Sequence, residues 1–202
     1  MTTTKNMHAR ESNSYLAGII VHMARLAYED GFACGLTSAQ WVALGYFMRA
    51  NKLSRTLSNF AKYHATTRGS ASQTIKSLVT MGFLIRTPSK LDKRCARFDL
   101  TEKGLAICDQ DPFAGLIRAI AALPENHRDN LTDTLKSVLA NIVDNPHDKC
   151  LGNCLSCRNL KQNFDQANHR IANFCLGSGE NVSDQDIEKI CMNHQPLISA
   201  IG

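Results

Sequence analysis

Leu16, Ile19, Ile20, Met23, Leu26 and Ala27 recur at helical spacing, which predicts an amphipathic helix over residues 13–31, closed by Gly31 and Gly35. Thr37 or Ser38 then caps a second helix carrying Trp41, Val42, Leu44, Gly45 and Phe47. A short third helix opens at Thr56 or Leu57, with Leu57, Phe60 and Ala61 inward. After a break at Ala65–Thr66, a fourth runs to Met81, with Ala71, Ile75, Leu78 and Val79 inward. Gly82 stands where a helix C-terminal glycine belongs.

The period then changes. Phe83-Leu84-Ile85 reads as a strand, Pro88-Ser89-Lys90 as a turn, and Ala96, Phe98 and Leu100 alternate with Cys95, Arg97 and Asp99 as in a half-buried return strand. Helix, helix and hairpin in this order predict a winged helix-turn-helix. Long helices follow, from Thr101 to Leu123 with an interruption at Asp111-Pro112, and from Glu125 to Val143 with an apolar stripe of Leu131, Leu135, Val138, Leu139 and Ile142. Asn145-Pro146 ends the last of them. The expected fold is mainly α: a winged helix-turn-helix, long dimerisation helices, and a small metal- or cluster-binding helical tail. The corresponding segments are 1–36 (N-terminal dimerisation helix), 37–104 (winged helix-turn-helix), 105–145 (C-terminal dimerisation helices) and 146–202 (cysteine-rich tail).

Charge sharpens this picture. The chain of 202 residues carries a formal charge of +5, but residues 52–104 hold eleven Lys/Arg against three Asp/Glu. All of the positive excess thus lies in one segment, as a phosphate-facing surface requires. The fourth helix begins Thr66-Thr67-Arg68-Gly69-Ser70-Ala71-Ser72-Gln73, followed by Lys76. In a helix-turn-helix this end meets base edges in the major groove. Arg68 suits guanine, Gln73 suits adenine, and the hydroxyls suit bases or phosphates. A polar helix face is also what solvent alone demands, so the charge excess and the hairpin carry the inference.

Asp92-Lys93-Arg94, a five-residue strand, then Leu100-Thr101-Glu102-Lys103-Gly104 resemble the wing and strand-to-helix signature of the MarR family of bacterial regulators, over residues 10–143. That resemblance implies a homodimer reading a palindromic operator in double-stranded DNA, most simply as a repressor. It puts Arg94 in the minor groove and Asp92 in support of the wing, with Lys90, Lys93 and Arg97 on phosphates. It also implies an effector site between the dimer helices and the DNA-binding lobe. Trp41, Tyr46 and Phe47 are candidates to line it, although such rings read first as core.

The tail departs from the family pattern. Five of eight cysteines fall there: Cys150, Cys154 and Cys157 within one loop, then Cys175 and Cys191. A compact triple plus one distant thiol fits an iron–sulfur cluster, either 4Fe–4S or 2Fe–2S, with structural zinc as the alternative. Lys149, Arg158 and Lys161 would offset the cluster's negative charge. Predicted helices over residues 159–174 and from Ser183 offer Cys175, or less directly Cys191, as the fourth ligand. His147, His169 and His194 are substitutes, each read first as a solvated surface histidine. The Cys-x3-Cys-x2-Cys spacing also occurs in radical enzymes that use S-adenosylmethionine, but those need an α/β barrel that this pattern lacks. Cys34 and Cys108 read as small apolar packing, whereas the register of Cys95 leaves a redox role open.

No nucleophile–base constellation or phosphate loop appears, so no enzyme is expected. The polar start, and an apolar stretch broken by His22 and Arg25, predict a cytoplasmic protein without a membrane span.

Overall fold

The computed structural model describes residues 2–28, 33–88, 96–142, 152–165 and 170–197. Helix α1 spans Thr2–Leu26, longer at its start than the periodicity predicts. Helix α2 (Ser38–Arg49) begins at a capping box: the Thr37 hydroxyl accepts from the Gln40 backbone N–H, and the Gln40 side chain accepts from that of Thr37. Helices α3 (Leu57–Tyr63) and α4 (Arg68–Thr80) are capped by the hydroxyls of Thr56 and Thr67. Ala65, at φ 47°, makes the bend between them, and Gly82, at φ 76°, turns the chain into the wing.

The wing is an antiparallel pair, β1 (Leu84–Pro88) with β2 (Ala96–Leu100), in the register Leu84↔Leu100 to Pro88↔Ala96. Helix α5 (Glu102–Cys108) follows, capped by Thr101. Gly104 passes so close to the Phe83 carbonyl that any Cβ would collide with it. The predicted interruption is real: Asp111 is buried and accepts from the Phe113 backbone N–H (3.0 Å), separating α5 from α6 (Ala114–Ala121). Helix α7 (Glu125–Ile142) completes the region.

One core joins α2, α3, α4 and the wing. Trp41, Tyr46, Phe47, Leu36 and Leu44 are fully buried, with Phe60, Ile75, Leu78, Phe83, Leu84 and Phe98 around them. Trp41, Tyr46 and Phe47 are therefore core rings. By contrast, α1, α6 and α7 leave Leu16, Ile19, Met23, Ile117, Ile120, Leu135 and Val138 exposed.

The tail corrects the sequence reading. It is not helical but a three-stranded antiparallel sheet, β3 (Leu160–Asp165), β4 (Arg170–Cys175) and β5 (Glu180–Val182), in the order β3-β4-β5. Leu160, Phe164, Ile171 and Phe174 satisfy a helical spacing, which misleads. Asn159, Asn163, Asn168 and Asn173 are poor helix formers, and the ladder from Leu160↔Cys175 to Asp165↔Arg170 outweighs the periodicity. No helix follows Ser183 either; Asp184–Glu188 is a run of turns. Cys175 therefore ends a strand, and Cys191 lies in irregular backbone.

The tail also docks where no sequence pattern indicates. Its contacts run to the α2–α3 turn and the wing. Ile190 bridges this turn, with Asn51 N–H donating to its carbonyl and its own N–H donating to the Arg49 carbonyl, both at 2.9 Å. Met192 enters the winged-helix core.

Among the described residues, no helix is long and apolar enough to cross a membrane.

Candidate nucleic-acid interface and cysteine site

Helix α4 buries Ala71, Ile75 and Leu78 and turns its opposite face outward. Ser72, Gln73 and Lys76 are exposed, with Lys76 four residues from Ser72 and three from Gln73, so that it neighbours both on the helix surface. Thr67 and Ser70 are exposed but engaged with each other: the Thr67 hydroxyl accepts from Ser70 N–H (3.1 Å), and their hydroxyls lie 2.9 Å apart. They shape the start of α4. Arg68 donates to the Ser58 hydroxyl across the helix pair, and Thr66 is exposed with its N–H bonded to the Ala61 carbonyl (2.9 Å).

A groove of about 390 Å³ separates α4 from the wing, lined by Ser72, Lys76, Arg86 and Phe98 among others. Arg86 is exposed on β1 and joins Lys76 on this rim. Arg86 belongs to the charge excess of residues 52–104, but no local pattern marks it; its place beside α4 follows from the β1–β2 register. Lys90, Asp92, Lys93, Arg94 and Cys95 lie outside the described residues. Arg97, expected on phosphate, is instead engaged by the tail: Nη1 donates to Glu180 Oε2 at 3.0 Å, and Nη2 pairs with Oε1. Arg55 similarly pairs with Asp99 of β2 (3.0 Å) and reaches Asp186 of the tail (3.9 Å).

The turn of α3 into α4 contains a second electrostatic feature. His64 caps α3 among the rings of Tyr46, Phe60 and Tyr63, and its Nε2 has no hydrogen-bond partner among the described residues. Burial, with Arg49 adding repulsion, lowers its pKa to about 4. In the unfolded chain the imidazole titrates near 6.5. The unfolded state therefore binds more protons between these values. Stability from keeping His64 neutral is fully present above about pH 6.5 and is lost as pH falls towards about 4. Urea unfolding between pH 7 and pH 4 is expected to show this loss, and His64→Phe to reduce it. An unchanged pH dependence in the variant would assign the loss to other groups.

In the tail, Cys154, Cys157 and Cys191 are buried and Cys175 is half-buried. Residues Cys154–Ser156 form a tight turn in which Cys157 N–H donates to the Cys154 carbonyl (3.0 Å). Cys154 and Cys191, thirty-seven residues apart, meet as a hydrogen-bonded pair. That bond, supported by Asn51, the Asn193 backbone and Ser54, lowers the Cys191 thiol to about 6. Cys154 moves upward, because it donates to Cys191, is buried, and feels the charges of Cys191, Cys175 and Cys157. Gln195 N–H donates to Cys157 Sγ (3.4 Å). A cavity of about 290 Å³ beside this group is lined by Cys175, Cys191, His194 and Lys62 of α3, among others. Four thiols are thus drawn to one region, and donors aimed at sulfur are what a thiolate-rich centre requires. Cys150 lies outside the described residues; among those described, no group of three or more His, Cys, Asp or Glu side chains is already spaced to hold a metal ion.

Three further cysteine and histidine expectations meet the structure here. His194 is buried, not solvated, and its Nε2 lies 3.0 Å from both the hydroxyl and the carbonyl of Ser156. Cys34 is exposed, with its thiol 2.6 Å from Gln110 Oε1, rather than packed. Cys108 is half-buried; burial raises its thiol to about 11. His147 and His169 lie outside the described residues.

Fold and surface together define a class: a winged helix-turn-helix with a polar, partly basic outer face on α4 and an appended cysteine-rich tail. Residues 35–94 match the model of the MarR family, and the tail lies beyond the match. Similar solved structures include a MarR transcriptional regulator from Methanosarcina mazei Go1, at 20% identity over 65% of this chain and 96% of that one, with a TM-score of 0.51. The MepR–DNA complex of S. aureus is 21% identical over 65% of this chain and 98% of that one, TM-score 0.52. CouR from Rhodococcus jostii RHA1, bound to p-coumaroyl-CoA, is 19% identical over 62% and 90%, TM-score 0.52. No curated protein sequence matches the chain.

Proposed function

We propose that this chain is a homodimeric, sequence-specific DNA-binding repressor of MarR type, whose operator affinity is modulated by an iron–sulfur cluster held by four of Cys150, Cys154, Cys157, Cys175 and Cys191. The observation that carries the DNA-binding part is the exposed row Ser72, Gln73 and Lys76 on a helix of this fold, beside Arg86 and a strongly basic segment. MepR, of the same fold, has been solved on DNA. Apolar side chains left open on α1, α6 and α7 support the dimer, because stripes of this kind call for a partner surface.

Selection from a randomised duplex pool tests this reading. A palindrome with half-sites about one helical turn apart is the expected product. Gln73→Ala is expected to weaken binding to the selected duplex roughly tenfold or more and to relax preference at one symmetric pair of positions. Lys76→Ala should weaken all duplexes alike and flatten the salt dependence. A wild-type chain that enriches no sequence and binds duplex without salt dependence would overturn the reading.

The cluster is supported by the thiol set converging beside the α2–α3 turn. When bound, it would supply redox or iron responsiveness. Structural zinc is the second reading, favoured specifically by the Cys154–Cys157 turn, whose x2 spacing suits tetrahedral thiolate ligation. The regulator would then respond to a small aromatic ligand, as CouR's p-coumaroyl-CoA suggests. Anaerobic purification with iron, sulfide and zinc analysis separates the two: iron with acid-labile sulfide supports the cluster, and about one zinc per chain supports the alternative.

A further inference from the structure

We infer that Asn51 couples the cysteine site to the DNA-reading helices; this deepens the proposed function and rests on its reading of the tail as a metal- or cluster-binding element.

Asn51 is fully buried at the end of α2, although asparagine is ordinarily a surface residue. Each of its polar groups has a distinct task. Its backbone N–H donates to the Ile190 carbonyl (2.9 Å), fastening the tail. Its Oδ1 accepts from Ser54 N–H (3.0 Å), forming the turn that leads to the Thr56 cap of α3. Its Nδ2 donates to Cys154 Sγ (3.9 Å), and Asn51 also hydrogen-bonds Cys191. Ser54, likewise fully buried, works beside it: its hydroxyl accepts from Met192 N–H (2.9 Å) and hydrogen-bonds Cys191. Its carbonyl accepts from Tyr46 OH (2.8 Å), in the middle of the core.

The same short turn holds the wing. Phe98 N–H donates to the Arg55 carbonyl (2.9 Å), and Arg55 pairs with Asp99. One amide side chain therefore senses the sulfurs and sets the turn on which α3, α4 and β2 depend. A metal or cluster bound there would hold Cys154 and Cys191 as thiolates, and so change the charge that Asn51 faces. A bond from Asn51 Nδ2 to sulfur then favours one arrangement of the turn over another, which is the differential interaction a two-state switch needs.

Asn51→Ala isolates this role, because it removes the N–H aimed at sulfur while Ser54 N–H keeps the backbone carbonyl of residue 51 (2.9 Å). The protein is loaded anaerobically with ferrous iron and sulfide, or with zinc, and binding to the selected duplex is measured before and after metal removal. For wild type we expect affinity to change about tenfold or more between the two states. For Asn51→Ala we expect metal to be held and duplex to be bound, with the change between states reduced to about twofold or less. An Asn51→Ala protein that keeps the wild-type change, or that no longer holds metal, overturns the assignment of Asn51 as the coupling residue. Wild-type protein that binds no metal, or whose affinity ignores it, overturns the underlying reading of the tail and the coupling with it.

Hydrogen exchange on wild type supplies a test independent of whether the variant folds. Amides of residues 51–56 should lose protection on metal removal while those of α7 keep theirs; unchanged protection at 51–56 overturns the proposal.

Discussion

Protein carrying Cys154→Ser and Cys191→Ser is expected to purify without iron, sulfide or zinc and with its tail detached from the winged helix. The two thiols are buried in mutual contact, and each receives hydrogen bonds from the α2–α3 turn. Serine keeps the size but is a poor ligand for a soft metal. Binding free energy at thiolate sites is itself folding free energy, about 10 kcal/mol or more for structural zinc, so loss of the centre removes much of what orders a sheet this small. Met192 and Ile190 would then leave the core surface they cover, at a cost of roughly 2 kcal/mol for the methionine. The winged helix retains its own core, so it should stay folded. Metal analysis and limited proteolysis check the result. Metal content equal to wild type, with a tail as resistant to protease, would show that this pair is not part of the site.

Trp41→Ala carries the largest expected cost to the winged-helix core. Trp41 is fully buried, in the core shared by α2, α3, α4 and the wing. Truncation removes an aromatic side chain and leaves a cavity that close-packed neighbours close only in part, which costs about 3–5 kcal/mol. Against a domain stability of about 5–15 kcal/mol, the variant would be marginal at best. Urea unfolding should show a lower midpoint with an unchanged slope. The same experiment separates core from pocket. If Trp41 lined an effector site, alanine would abolish the response to aromatic ligands while leaving the midpoint nearly unmoved.

The winged helix was legible because its local signals agree with its tertiary structure. Thr37, Thr56 and Thr67 cap the helices they precede, Gly82 takes the left-handed conformation, and Phe98 points inward at its alternating position. The tail was misread because its apolar residues satisfy both periods, and only strand pairing decides between them. Asn51, Ser54, Glu180 and Asp186 gave no signal at all. Asn51 meets Cys154 across 103 residues of sequence, and Arg97 meets Glu180 across 83. Contacts at such separations leave no trace in local periodicity. The cysteines are conspicuous in the sequence, but their convergence on the α2–α3 turn is visible only in three dimensions.

Whether the cysteine centre modulates affinity for DNA is read by titrating one selected duplex with one wild-type preparation, anaerobically loaded and then stripped of metal. Salt-dependent binding is expected in both states, with affinities differing about tenfold or more. Equal affinities in protein shown to have held and lost its metal would contradict this expectation.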